Sequence, residues 1–344
     1  MLAALLLSAL PQGASPSSCE RRVAAMGTAF DLVLTARDRA TALLASEAAV
    51  RAVEAAEERL STWIETSELA RLNGAPVGAW CALSAELEAD LSRAREFHVW
   101  TGGAFDPGLA ALVHAWGLRS GGRTPEAAEL AAARAAGGLR AFEFEPGRAR
   151  RLHPAAGIEE GGFGKGLALD QALAALLAAG GTSARLDLGG QVLFDLPAAE
   201  ELWLADPRER ARPVLALTLR TGSLATSGNG ERGIVVDGVR RGHLLDPRTG
   251  EPAPDFGSLS VLAPAALQAD ALSTGFFVLG PEEAFRRAAA APELALVVLE
   301  PAGQFLRARV SAGLRGRVRV LVDDLTLEFV AAPSAANASS SQAR

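Results

Sequence analysis

The stretch Gly161-Gly162-Phe163-Gly164-Lys165-Gly166-Leu167-Ala168-Leu169-Asp170 constrains this chain more than any other. Glycines at such density let the backbone turn sharply or approach a neighbour closely before an apolar helix begins. Lys165 is the sole lysine of the chain; every other basic side chain is arginine. A compact ammonium on a flexible stem suits a single phosphate oxygen or a tight polar pocket, which a planar guanidinium fork fits less well. Free N–H groups and the dipole at a helix start favour anions. The stretch therefore points to an anionic, phosphate-bearing ligand, although the same glycines also serve a plain tight helix entry.

The 344 residues allow one large unit or two ordinary ones with ample core, and 49% hydrophobic with 22% charged residues is ordinary for a soluble globular protein. A net charge of −6 excludes a nucleic-acid binder, which needs a basic face. Tyrosine is absent, so any aromatic contact with a planar ligand comes from Trp or Phe. Residues 2–10 form an apolar run too short to span a bilayer, followed by Pro11 and small polar residues. We read residues 1–20 as a signal or export segment, with a misplaced start codon as the alternative because a basic n-region is missing. Residues 331–344 read as a disordered tail. Cys19 and Cys81 can pair outside the cytosol, but nothing in their spacing requires it.

Between these ends the pattern is α+β. Residues 23–35 alternate as a strand, 41–60 carry helical spacing, Ser67 starts a short helix ending at Asn73-Gly74, and Ser84 caps a helix running to about Val99. Asp106 and Pro107 have the chemistry of N-cap and N1 for a helix over 108–116. Phe142–Glu145 and Arg148–Leu152 flank a Pro-Gly turn as a hairpin. A helix over 165–179, a strand over 185–194 broken by Gly189-Gly190, a strand over 214–219 and a polar loop over 224–230 follow. Strands are expected at 234–236, 239–245, 259–263, 294–299 and 318–327, with helices at 267–278 and 282–290. Mostly antiparallel strand neighbours are implied, in a single unit or in two lobes.

Three further stretches carry chemistry. Thr226 and Ser227 lie in a hydroxyl-rich segment suited to hydrogen-bonding phosphate or a planar amide, though composition alone allows an ordinary turn. His243 places an imidazole just before the Asp246-Pro247 turn, and lone histidines are more often structural than catalytic. Asp270 and Thr274 put two oxygens at i and i+4 on one helix face, a spacing that suits Mg²⁺ or Ca²⁺ rather than zinc.

Taken in order, Met26-Gly27-Thr28, Leu60-Ser61-Thr62-Trp63, Ser67-Glu68-Leu69 with Asn73, Gly102-Gly103-Ala104-Phe105-Asp106-Pro107, Gly161 to Gly166, Leu188-Gly189-Gly190, Ala225-Thr226-Ser227-Gly228, Asp246-Pro247-Arg248-Thr249-Gly250 and Ala269 to Thr274 resemble the ApbE family of FAD:protein FMN transferases. The resemblance spans about Ala24 to Val330. It implies an α+β, T-fold-related catalytic unit over residues 21–330, with a mostly antiparallel sheet and flanking helices. It also implies an exported enzyme, in the periplasm or on the outer face of the cytoplasmic membrane, Mg²⁺ as cofactor, FAD as substrate, a target flavoprotein whose threonine receives FMN, AMP as leaving product, and membrane association through the N-terminus. By position, Met26, Trp63, Ala104, Phe105, Asp106, Glu159 and Lys165 would line the FAD site, with Thr226 and Ser227 beside them and Leu244 against the flavin. Asp270 and Thr274 would hold the metal by side chains and Gly162 by its carbonyl. Lys165 would act electrostatically at the same place, and His243, with Asp246 as fallback, would take the threonine proton.

Several positions depart from the family pattern. Glu159-Glu160 replaces Asp-Leu, Phe163-Gly164 replaces Ile-Ala, Trp63 replaces a tyrosine while keeping a flat face, and Gln191 replaces an aspartate. A non-enzymatic FAD-binding protein and an FAD pyrophosphatase are the alternatives. A P-loop nucleotidase is excluded because Gly166, not Ser or Thr, follows the lysine.

Overall fold

The computed structural model describes residues 16–230, 233–236 and 238–331; most of the expected leader and nearly all of the expected tail lie outside them. The chain opens with strands β1 (Ser17–Ala25) and β2 (Thr28–Ala36), which pair antiparallel from Ser17–Ala36 to Ala25–Thr28. The alternation read as one strand is thus a hairpin, turned at Met26 (φ 50°) and Gly27 (φ 69°). Met26 is the one non-glycine residue with positive φ among the described residues, a conformation seldom adopted without a local reason. β1 begins at Ser17, a few residues ahead of the domain start read at residue 21. Cys19 in β1 and Cys81 are both free thiols.

Helix α1 (Arg39–Leu60) starts where the Asp38 carboxylate accepts from Thr41 N at 2.8 Å, and it buries Ala42, Ala45, Ala49, Val53, Ala56 and Leu60 along one stripe. Ser67 caps α2 (Glu68–Gly74), the short β3 (Cys81–Ala82) follows, and Ser84 caps α3 (Ala85–Trp100). Glu68 fixes that second cap, its carboxylate accepting from Ser84 N and Oγ at 2.5 and 2.7 Å. Next come α4 (Ala110–Ala115), α5 (Ala127–Ala136), and the hairpin β4 (Phe142–Glu145) and β5 (Arg148–Arg151), to which β3 adds a third strand.

The second half contributes α6 (Gly164–Ala178), β6 (Gly181–Leu188), β7 (Gln191–Asp206), β8 (Glu209–Gly228), the pair β9 (Gly233–Val236) and β10 (Val239–Gly242), and β11 (Ser258–Ala263). Then follow α7 (Ala266–Leu279), α8 (Pro281–Ala288), β12 (Ala295–Ala302), β13 (Phe305–Ser311), β14 (Val318–Val320) and β15 (Leu325–Val330). The large sheet runs β1-β2-β6-β7-β8-β11-β12-β13-β15 and is antiparallel except for β13–β15; β14 pairs with the first half of β8. An α+β fold with a mostly antiparallel sheet is therefore present.

Period-two alternation sets which face meets which layer. In β12, Leu296 and Val298 face α7 and α8, while Ala295, Val297 and Leu299 join the opposite apolar layer with β7, β8 and β13. Helices α1 and α6 cover β2 and β6 through Ala49, Val53, Leu169 and Ala172. Burying each such leucine or valine contributes roughly 1.5–3 kcal/mol, so the strand–helix layers hold the positions of α6 and α7 firmly.

Three expectations are corrected here. Residues 224–228 are not a polar loop but the end of β8, paired with β11 from Ser223–Ala263 to Gly228–Ser258. Backbone pairing overrode a polar composition. The span 318–327 splits into β14 and β15, and β13 lay unread because Arg307 and Arg309 interrupt its apolar pattern. The helix expected over 108–116 starts at Ala110, with Leu109 at its cap and no side-chain cap. Asp106 is occupied elsewhere: its carboxylate accepts from Gly108 N at 2.8 Å and Leu139 N at 3.0 Å. Gly108 packs directly on Gly138, whose N–H donates to the Gly108 carbonyl at 2.7 Å, so this segment pairs with the 137–139 turn instead of winding into helix.

Candidate active site

The site forms where the first turns of α6 and α7 meet. A Cβ on Gly166 would collide with the Ala266 carbonyl and sit 2.8 Å from Asp270 Cβ, so only glycine permits this approach. At that contact Gly166 N donates to Asp270 Oδ2 at 2.9 Å. Gly166 lies in the first turn of α6, where N–H groups have no acceptor within the helix, so the Asp270 carboxylate satisfies an otherwise open donor. Lys165 Nζ lies 3.7 Å from the other oxygen, Asp270 Oδ1. Thr274 is one turn along α7, and its Oγ1 is 3.3 Å from where a Cβ on Gly162 would stand. A side chain at 162 would fill the space between Phe105 and Thr274; glycine leaves it open.

These residues fit a hard cation. Asp270 and Thr274 carry a carboxylate and a hydroxyl on the part of α7 that Gly162 and Gly166 meet, and the Gly162 carbonyl would add a third oxygen donor. No cluster of three or more His, Cys, Asp or Glu with metal-binding geometry occurs among the described residues, so a zinc-type centre finds no support there.

Three side chains to which the sequence reading gave no role of their own hold α7 in place. Asp170, at the end of the glycine stretch, accepts from Ala266 N at 2.7 Å and Leu267 N at 3.0 Å, capping α7 from a neighbouring helix. Burial pushes the Asp170 carboxyl up, and those two amides and Arg93 pull it partly back. Gln191 Nε2 donates to the Ala266 carbonyl at 2.7 Å. Ser273 Oγ donates to the Asp270 carbonyl at 3.0 Å and accepts from Ser227 Oγ at 3.0 Å. Ser227 therefore supports the site from behind. Thr226, its neighbour in β8, points the other way and shares a 2.8 Å hydrogen bond with Ser260 Oγ. No local pattern links residues 170 and 191 to residue 266; only the helix pairing does.

The 101–108 segment closes one side. Thr101 Oγ1 donates to Phe97 O at 2.8 Å and accepts from Phe105 N at 3.0 Å, while Gly102 and Gly103 take positive φ. Phe105 is thereby wedged between Gly162 and Gly275, where added Cβ atoms would lie 3.3 Å from its ring and 3.0 Å from its Cβ. Ala104 joins the apolar layer of Leu272 and Ala225, against which Leu244 also packs. Asp106 is buried, and that burial raises its carboxyl although two amides and His98 oppose the rise. Met26, at its strained turn, faces the same helix start: its Cε is 3.4 Å from a Cβ placed on Gly164.

Trp63 and Glu159 meet through an arginine. The Arg119 guanidinium lies 4.4 Å from the Trp63 ring centroid and forms an ion pair with Glu159. It also donates to Thr62 Oγ1 at 2.5 Å, and Thr62 donates to Glu160 at 2.7 Å. Burial raises the Glu159 carboxyl, Arg119 lowers it, and neighbouring Glu160 adds to the rise. The Glu159 amide donates to the Pro107 carbonyl at 2.7 Å, tying this cluster to the Phe105 segment.

His243 follows β10 and is half-buried, and Leu244 is fixed by a 2.8 Å bond from Ala253 N to its carbonyl. Asp246 is engaged: its carboxylate accepts from Arg248 Nε at 2.8 Å, from Arg248 Nη2 at 2.7 Å and from Arg248 N at 2.8 Å. A carboxylate so fully bonded closes the Asp-Pro-Arg-Thr-Gly turn. A cavity of about 100 Å³ lies beside it, lined among others by His98, Asp106, Arg134 and Arg248.

The geometry brings together Met26, Phe105, Gly162, Lys165, Asp270 and Thr274 around one helix junction, with Trp63 and Glu159 on the adjoining stretch. The ApbE family model matches residues 26–298, which contain all of these positions. The chain is 34% identical over 304 residues to the FAD:protein FMN transferase of Treponema pallidum, covering 78% of this chain and 80% of that protein. It is 32% identical to the one from Klebsiella pneumoniae, covering 75% and 78%. The ApbE protein of Thermotoga maritima superposes with a TM-score of 0.76 at 28% identity, covering 83% of this chain and 94% of that one. The flavin transferase ApbE of Vibrio cholerae shares the fold at the same TM-score of 0.76 and 23% identity, covering 88% of this chain and 100% of that one. Matched in its family signature along most of its length, this chain belongs to the ApbE family.

Proposed function

We propose that this protein is an FAD:protein FMN transferase that uses Mg²⁺, attaches FMN to a threonine of a target flavoprotein and releases AMP. The observation that carries this reading is the α6–α7 junction, where the sole lysine stands 3.7 Å from Asp270 and Gly162 lies against Thr274. Its relatives are named FAD:protein FMN transferases, which supports the transfer of FMN from FAD to a protein. Mg²⁺ held by these three oxygens would supply a Lewis acid at the pyrophosphate. Lys165 adds a positive charge at the same point and keeps the Asp270 carboxylate oriented. Phe105, Leu244 and Ala104 offer apolar walls that exclude water around a planar ring. The acceptor Thr oxygen bonds to the FMN-side phosphorus, the bond to the AMP oxygen breaks, and His243 takes the threonine proton. His243 takes precedence because Asp246 is held by Arg248. The apolar run at residues 2–10 supports action outside the cytoplasm, at the membrane face.

The test is a mass measurement on a threonine-bearing acceptor incubated with the protein, FAD and Mg²⁺. An FMN-sized adduct is expected, lost on chelation and lost in Asp270→Ala. Free FMN and AMP without adduct would mark an FAD pyrophosphatase, and intact bound FAD a non-enzymatic flavin carrier; either outcome overturns the transferase reading.

A further inference from the structure

Trp63 is 70% exposed, the sort of flat surface on which a ligand ring stacks, yet the Arg119 guanidinium already lies over it at 4.4 Å. The guanidinium is not loosely placed. It is paired with Glu159, bonded to Thr62 Oγ1 at 2.5 Å, and backed by the Thr62–Glu160 bond at 2.7 Å. The guanidinium is held by a carboxylate and over an indole, and about a third (34%) of the Arg119 side chain stays exposed, which leaves it open to a further planar contact. The cluster adjoins the metal-type site directly. Glu160 accepts from Phe163 N and Gly164 N at 3.0 and 2.8 Å through its carbonyl, so it is the residue from which the α6 turn starts.

We infer that Arg119, not Trp63 alone, is the stacking platform for one planar ring of FAD: the ring packs on the outer face of a guanidinium sandwiched against Trp63 and anchored by Glu159. This deepens the transferase reading and rests on it. Arg119 thereby becomes a binding and specificity residue, and its charge also offsets the two adjacent carboxylates Glu159 and Glu160, which would otherwise repel the phosphates of the incoming dinucleotide. Planarity is the essential property. Lysine keeps the charge but has no face, so the two substitutions separate stacking from simple electrostatics.

The experiment measures FAD binding to the full chain by flavin fluorescence with Mg²⁺ present, for the parent, Arg119→Lys and Arg119→Gln, with ADP and FMN as separate probes. Thermal midpoints confirm that each variant is folded. Both substitutions should weaken FAD by about three- to tenfold, the scale of a partly exposed cation–π contact. The loss should be concentrated in whichever of ADP or FMN carries the stacked ring, and KM for FAD should rise by the same factor while kcat moves less. Arg119→Lys binding as tightly as the parent would mean a point charge on phosphate and overturn the platform. Tighter binding in both variants would mean that the guanidinium merely covers Trp63, which overturns it equally. A parent protein that binds no FAD at all would sink the transferase reading and this inference with it.

Discussion

The glycine stretch permits a graded test, because its members meet different surroundings. A Cβ on Gly161 would find nothing within 4 Å. A Cβ on Gly162 would come to 3.3 Å from Phe105 Cε2 and from Thr274 Oγ1, a contact relieved by shifts of a few tenths of an ångström. A Cβ on Gly166 would strike the Ala266 carbonyl and carbon (2.7 Å) and Asp270 Cβ (2.8 Å), the first two being backbone that cannot rotate away. Gly161→Ala should therefore change stability by no more than about 0.5 kcal/mol. Gly162→Ala should cost at most about 1 kcal/mol, yet displace Thr274 and weaken Mg²⁺ activation severalfold. Gly166→Ala should cost about 1–3 kcal/mol by overpacking, and more if the amide–carboxylate bond to Asp270 is lost, since a bond to a charged group is worth about 1.5–3 kcal/mol. Urea unfolding gives the stabilities, and a Mg²⁺ titration of FMN transfer gives the activation constants. The decisive comparison is Gly161→Ala with Gly166→Ala. If the two unfold alike and titrate alike, the close helix junction does not exist as described, and the metal assignment built on it goes too.

Two further perturbations follow from the same junction. Lys165→Arg keeps the charge but places a larger planar fork against Asp270 Oδ1, now 3.7 Å from the ammonium, and should lower kcat by about tenfold or more while leaving the urea midpoint near the parent's; equal turnover would make the sole lysine an accident of composition. Asp170 has its carboxyl raised by burial, so the folded state holds the proton more tightly than the unfolded one: its favourable contribution is full below the ordinary aspartate value of 3.8 and is lost as pH rises through the folded value. The stability of the parent relative to Asp170→Asn should accordingly fall with rising pH across that window in urea-unfolding series, and a flat or rising difference would refute the assignment.

What the sequence disclosed, and what it withheld, divides along the range of the interactions involved. Caps at Asp38, Ser67 and Ser84 are local chemistry, and the helices they start were readable within a few residues. The glycine stretch and the Asp270–Thr274 spacing were readable for the same reason, and the resemblance joined them. Asp106 misled because an Asp-Pro pair satisfies the local rule for a cap, while the carboxylate accepts instead from Gly108 N beside it and from Leu139 N in the 137–139 turn. Thr226 and Ser227 misled in the opposite sense: their polar composition suggested a loop, but pairing with β11 makes them strand, and strand alternation sends one hydroxyl toward α7 and the other away. The roles of Arg119, Asp170 and Gln191 have no local signature, since each acts on a residue brought near by folding. That asymmetry has a physical consequence for the site. The ligand-bearing residues sit at short spacing and can be preserved by local pattern, whereas the geometry that makes them a site depends on side chains reaching between elements: Asp170 from α6 to the α7 start, Gln191 from β7 to Ala266, and Arg119 from the segment after α4 to Trp63. Substrate preference can therefore shift through Arg119 while every signature residue stays in place.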